Sequence, residues 1–336
     1  MRRISTIFLA FLLVWAVVPM PNIHANPTGF TELSMTFGPY NLYGRLTLPK
    51  NAAQPPVAIL IQGSGQANYN SAFGGMTIFR DIAHGLAQRG IASVRFNKRY
   101  YQHPLPARMT IHDETLDDIS YAINLAARWR SLGVVGDIYI IGFSQGGIVA
   151  PYVAYHHPQV AGVVSMAGSP RGFFDIVESQ AGFLRHQAAA RAGLPDGVPV
   201  PGLPVGFLLE RIMAINENTL PRTYNFLNNQ AMALGFPISF LHSVNNLNIA
   251  GLLPYIDVPF LILQGSEDLQ ILADYCFVAW QELFYGRDNA TFILYQGLNH
   301  FFAPHRPNLG YSQSRARARV DALVIRDIAG WILGDK

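Results

Sequence analysis

The sequence predicts an α/β fold: a mostly parallel central sheet flanked by helices, with a helical cap inserted into it. Three observations carry this. Short apolar runs of strand length alternate with amphipathic stretches of helical period. The alternation stops near Gly168 and resumes at Pro259. The run Gly142-Phe143-Ser144-Gln145-Gly146 lies between an apolar run and a helical one.

The N-terminus is set aside before the fold is read. Arg2 and Arg3 precede an uncharged apolar run, Ile4 to Val18; Pro19, Pro21 and Asn22 break it, and Ala25 offers a small residue for cleavage. This is the layout of a secretory signal peptide over residues 1–25, cut near Ala25. The apolar run falls short of the roughly 20 residues a full span needs, so no stable membrane span is expected after cleavage. The expected destination is outside the cytoplasm, periplasmic or secreted. Removing Arg2 and Arg3 lowers the formal charge from +3 to +1, because residues 1–25 hold no acid. That near-balance gives no support to nucleic-acid binding, and Arg315, Arg317 and Arg319 read as a solvated helix face. Cys276 is the only cysteine, so neither an intrachain disulfide nor a cysteine-based metal site is possible. No His-Glu-x-x-His spacing occurs, and neither metal nor cofactor is expected.

The elements follow in order. Leu33 to Leu48 reads as an entry hairpin punctuated by Gly38-Pro39 and Gly44. Val57 to Ile61 is a buried strand leading into Gln62-Gly63-Ser64-Gly65. Ile78, Ile82 and Leu86 share one face of a helix that Gly90 ends, and Ile91 to Phe96 is the next strand. Leu116, Ile119, Ile123 and Ala126 mark a second amphipathic helix. Asp137 to Phe143 is a strand running into Ser144, Ile148 to Tyr155 a helix, and Val160 to Ala167 a strand. These make up the first part of the core, residues 26–167. Residues 168–254, rich in Phe, Leu, Met and Ala, read as the cap, with a proline-rich loop around Pro199, Pro201 and Pro204. The second part of the core, residues 255–336, has strands at Pro259 to Leu263 and Thr291 to Tyr295. It also has a helix near Ile271 to Phe284 and a closing helix with Val320, Val324, Ile328 and Trp331 on one face.

A serine between two glycines on a strand-to-helix turn is a physical specification. The sharp turn leaves no room for flanking side chains, and it lifts the hydroxyl clear of the sheet. Ser144 is therefore the candidate nucleophile. A hydroxyl needs a base to take its proton, and ten histidines are present. His300 follows the last strand and precedes the closing helix, with His305 as a local competitor. His103 and His242, in loop and cap, could face substrate. The imidazole needs a carboxylate to fix its tautomer. Asp268 lies just past a strand end, with Glu267 as the neighbouring alternative. The tetrahedral oxyanion needs aimed donors. The backbone N–H of Gln145 is one candidate and that of Ser64 the other, with Gly65 as its alternative. The chain order Ser144, Asp268, His300 is the one α/β sheets of this kind use.

Four stretches together resemble the α/β-hydrolase superfamily, in its branch of capped esterases and serine-aminopeptidase-like proteins. They are Gln62-Gly63-Ser64-Gly65, Arg95-Phe96-Asn97-Lys98-Arg99, Gly142-Phe143-Ser144-Gln145-Gly146-Gly147 and Gly297-Leu298-Asn299-His300. The resemblance spans about Leu33 to Trp331 and is weak through the cap. It implies an α/β-hydrolase fold, with Asn97 standing where the branch usually has Asp. It also implies hydrolysis of a small-molecule ester or amide. Phe173, Phe174, Phe207, Phe226 and Phe240 point to an apolar group on the substrate, or simply to cap core. An exopeptidase or amidase of the same fold would need a cap carboxylate for the substrate ammonium, from Glu178, Glu210 or Glu217. A thioesterase or acyltransferase would use the same triad. A dinucleotide-binding reading of Gly63-Ser64-Gly65 fails, because Asn68 replaces the third glycine and no acid ends the next strand. Oligomeric state is not encoded in any pattern found.

Overall fold

The computed structural model describes residues 24–25, 29–191, 211–215, 219–233, 235–309 and 318–334. The proposed leader lies outside them except for His24 and Ala25. So do Phe207, Glu210, Glu217, Arg315, Arg317 and the cap's proline-rich loop.

Strands β1 (His24–Ala25), β2 (Phe30–Phe37) and β3 (Leu42–Pro49) open the chain. They are followed by β4 (Val57–Ile61), a small β5–β6 hairpin (Ala72–Phe73, Met76–Thr77) and β7 (Ala92–Phe96). Then come β8 (Ile138–Phe143), β9 (Val160–Met166), β10 (Phe260–Gly265) and β11 (Ala290–Tyr295). Among the described residues the main sheet has nine strands in the order β1-β2-β3-β7-β4-β8-β9-β10-β11. Pairing is antiparallel from β1 to β7 along that order and parallel from β7 to β11. The predicted mostly parallel sheet is thus present, and the entry hairpin is β2–β3 in register Phe37↔Leu42. β4 is buried along its whole length because both faces are covered.

Helices α1 (Ile78–Ala87) and α3 (Asp117–Ser131) cover opposite faces: Ile78, Ile82 and Leu86 pack in one apolar cluster, Ile119, Ala122 and Ile123 in the other. A short helix α2 (Arg99–Gln102) follows β7. A π-turn, His112–Leu116, precedes α3, so the helical path begins earlier than the apolar period at Leu116 indicates. Helix α4 (Gln145–His156) follows β8 directly. The closing helix Ala322–Leu333 is capped by Asp321, whose carboxylate accepts from Leu323 N–H at 2.8 Å. After β10 the chain enters a π-turn at Ala273–Phe277 and only then the α-helix Val278–Leu283.

Between β9 and β10 lie helix α5 (Phe173–Arg191) and the helices Pro221–Ala233, Ile238–Asn245 and Ile249–Leu252. Their apolar side chains are not segregated. Phe174, Ile176, Leu227, Ile238, Phe240 and Val244 belong to the same buried cluster as Ile59, Ile140 and Ile148 of the sheet and α4. Side-chain bonds tie the insertion down. Ser239 and Ser243 accept from the N–H groups of Met109 and Ile111 at 3.2 and 2.8 Å, and Asn228 donates to Ala107 O at 3.3 Å. Cys276 is fully buried, and burial raises its thiol pKa to about 11. Among the described residues no helix is long and apolar enough to cross a membrane.

Candidate active site

Ser144 joins β8 to α4 with φ 55° and ψ −119°, a left-handed backbone that non-glycine residues seldom adopt. The flanking glycines explain how the turn closes. A β-carbon on Gly142 would collide with Gly146 O, and one on Gly146 with Ile61 O. Ser144 N–H donates to Met166 O at 2.8 Å, anchoring the elbow to β9. The first helical bond runs from Ile148 N–H to Ser144 O, so the N–H of Gln145 precedes the helical ladder, at the positive end of α4.

His300 and Asp268 meet. Nδ1 of His300 lies 2.8 Å from Oδ2 of Asp268, and both residues are buried. Asp268 has no spare acceptor. Its Oδ1 takes the N–H groups of Gln270 and Ile271 at 2.7 and 2.9 Å, and Oδ2 also accepts from Gln264 Nε2 at 2.9 Å. Gln264 donates as well to Ile271 O at 2.9 Å. A buried side chain on β10 thus holds the carboxylate toward His300; no sequence pattern marks it. Glu267 is turned away, accepting from Ser266 Oγ at 3.3 Å, and is exposed enough to be hydrated.

β11 lies three strands from β8, about 14 Å at ordinary strand spacing. The loop carrying His300 must therefore fold back. It does so against Gly265, where a β-carbon would strike Leu298 O. Glu267 N–H donates to Leu298 O at 2.9 Å, and Asn299 Oδ1 accepts from Phe301 N–H at 2.9 Å. The result sets the imidazole 5.0 Å, centroid to centroid, from the ring of Phe143, the residue before Ser144. Phe301 also packs against the imidazole, edge-on at 5.4 Å, lies 6.3 Å from Phe143, and stacks with exposed Phe73 of the β5–β6 hairpin at 5.8 Å.

β4 neighbours β8, which brings Gly63-Ser64-Gly65 to the elbow. A β-carbon on Gly63 would sit 3.2 Å from Cβ of Ser144. Gly65 has φ 86° and faces Phe236 of the insertion, which stacks on Phe240 at 4.9 Å. Ser64, Ser144, Asp268 and His300 all lie at the carboxyl ends of parallel strands, where such sheets place their sites.

Four other histidines are engaged elsewhere, and His305 keeps a buried Nδ1 without a hydrogen-bond partner among the described residues. His84 pairs with Glu32 at 3.0 Å, His157 with Ser120 at 2.9 Å, His103 with Tyr40 O at 3.0 Å and His242 with Ile212 O at 2.9 Å. His103 and His242 thus each direct Nε2 at a backbone carbonyl. Of the cap phenylalanines, Phe174 and Phe240 are buried and Phe226 is exposed. Glu178 is exposed on α5. Among the described residues no group of His, Cys, Asp and Glu is arranged to hold a metal ion.

The strand order, the strained serine and the buried His–Asp pair define one class of protein. Residues 59–303 match the family model described as the alpha/beta hydrolase fold. The chain belongs to the α/β-hydrolase family. It is 24% identical over 311 residues to esterase EstD of Thermotoga maritima, covering 92% of this chain and 69% of that protein. Among solved structures it resembles Est1E of Butyrivibrio proteoclasticus with a TM-score of 0.53 and 16% identity, covering 90% of this chain and 98% of the other. It also resembles the acylaminoacyl peptidase of Pyrococcus horikoshii, with a TM-score of 0.55 and 12% identity over 91% of this chain and 41% of the other.

Proposed function

We propose that the chain is an exported serine hydrolase that cleaves carboxylic esters through an acyl-enzyme. Ser144 Oγ attacks the acyl carbon while His300 takes its proton. Asp268 holds the imidazole tautomer and balances the cation. The oxyanion is met by the N–H groups of Gln145 and Ser64. His300 returns the proton to the leaving alcohol, and water repeats the sequence to release the acid. The observation that carries the reading is the buried His300–Asp268 pair set against the residue preceding a strained Ser144. The likeness to an esterase over most of the chain supports an ester as substrate. Phe143 and Phe301 beside His300, with Phe73 stacked on Phe301, favour an apolar acyl or alcohol group. The leader over residues 1–25 supports export; mass spectrometry of the N-terminus of protein from the extracytoplasmic fraction tests it, and an intact Met1 there argues against cleavage.

The activity is tested with p-nitrophenyl esters of rising chain length beside aminoacyl-p-nitroanilides, on the wild type and Ser144→Ala. Ester turnover abolished by the substitution is expected. Equal turnover by both proteins would remove Ser144 from the mechanism. Faster anilide than ester cleavage would move the substrate class to peptides, the class named for the Pyrococcus horikoshii neighbour.

A further inference from the structure

Behind the oxyanion loop lies a buried ion pair that the mechanism above does not use. Lys98 follows β7 and Glu114 sits in the π-turn before α3; both side chains are almost wholly buried and paired with each other. Burying such a pair is costly, and it gains nothing over apolar side chains of the same volume unless each charge has further work to do. Here each charge makes a second contact. Lys98 Nζ donates to Gly63 O at 2.7 Å. Glu114 Oε2 accepts from Gln145 Nε2 at 3.0 Å and also from Thr115 Oγ1.

One contact ends on the carbonyl of the peptide that carries the Ser64 N–H, and the other on the side chain of Gln145. Gly63 C=O and Ser64 N–H belong to one planar trans peptide, so they point in opposite directions. Fixing the carbonyl from behind fixes the N–H in front. An ammonium on the carbonyl oxygen also polarises the amide and makes its N–H a stronger donor, as in any chain of hydrogen bonds in a low-dielectric interior. At the other end, the Gln145 side chain is held by Glu114, which sets the start of α4 where the second N–H originates.

We infer that the Lys98–Glu114 pair is a positioning device for the oxyanion hole, with Lys98 orienting and polarising the Gly63–Ser64 peptide and Glu114 holding Gln145. It rests on the serine-hydrolase reading and names how its anion site is built. Lys98 touches no reacting atom; its role is to keep two donors from different strands at one spacing before charge develops.

The test uses the full chain and two variants, K98M and K98M/E114Q. The double variant leaves no stranded charge and keeps an amide for Gln145, so it is the variant read where K98M does not fold. Three quantities are measured: kcat and KM on a p-nitrophenyl ester, the dissociation constant of a trifluoromethyl ketone, and complete Ser144 labelling by a fluorophosphonate. The ketone takes the serine as a hemiketal oxyanion, while the proton passes to His300. Expected in the folded double variant are a fall in kcat of about 10- to 100-fold, KM within about threefold, and ketone affinity weakened by the same factor as kcat/KM. Circular dichroism and endpoint labelling should match the wild type. A variant that keeps kcat and ketone affinity within twofold overturns the inference. So does a loss of kcat with unchanged ketone affinity, which marks a merely structural pair. Failure of the wild type itself to label at Ser144 overturns the serine-hydrolase reading, and the inference with it.

Discussion

At the scale of single residues, which carboxylate pairs with His300 is decided by where its oxygens find donors. Asp268 and Glu267 are adjacent, follow the same strand and carry the same chemistry, yet four donors converge on Asp268 while Glu267 meets Ser266 at the surface. Asp268→Asn should lower kcat by about 10⁴-fold, since an amide favours the wrong imidazole tautomer. Glu267→Gln should stay within twofold of wild type. Parallel kinetics of the two variants on one ester decide it, and the reverse ranking would move the acid. Ser144, Asp268 and His300 were legible in the sequence as candidates because each comes shortly after a readable strand, but that placement does not separate Asp268 from Glu267 or His300 from His305. Gln264, Lys98 and Glu114 were not. The contacts of Lys98 to Gly63 and of Glu114 to Gln145 span 35 and 31 residues, and no periodicity marks a residue for a partner that distant, while Gln264 reads in sequence as one more residue of a buried strand.

At the scale of elements, short apolar runs locate the parallel strands to within a residue or two, because strands buried on both faces need apolar residues throughout. Element ends follow local hydrogen bonding instead. The π-turns at His112–Leu116 and Ala273–Phe277 therefore displace two helix starts from where periodicity sets them. The β5–β6 hairpin is too short to have a period at all. A polar cluster joins the antiparallel edge to the rest: Glu32 of β2 binds Arg95 of β7 and His84 of α1. Burial raises the Glu32 pKa, but the hydrogen bond from His84 and the charge and hydrogen bond of Arg95 outweigh it and hold the carboxyl at about 2. A folded pKa below the ordinary 4.5 means that the stabilisation is complete above 4.5 and is lost as pH falls toward 2. Glu32→Gln should therefore lower Tm at pH 7. The gap to wild type should narrow steadily between pH 4.5 and 2 in thermal melts; a gap independent of pH would exclude the charge as its source.

At the scale of the whole molecule, the helices between β9 and β10 are built into the core rather than set upon it. Phe240 is fully buried, stacks on Phe236 and shares its cluster with strand residues. Phe240→Ala should cost about 3–5 kcal/mol and lower Tm in a single cooperative transition. Calorimetry showing a separate early melt of these helices would mean that the cap unfolds alone. The segment was readable as helical but not as continuous with the core, since composition says that a side chain is apolar and not which neighbour it meets.

The single cysteine has a consequence for where such a chain can work. Cys276 is sealed inside the molecule, its thiol is held protonated well above neutral pH, and it has no second cysteine to join. Thiolate is the species that oxidants and disulfides capture. The native state is therefore blind to redox potential. The same fold forms in a reducing cell interior and in an oxidising exterior, without an oxidase, an isomerase or a change of covalent structure on passing between them.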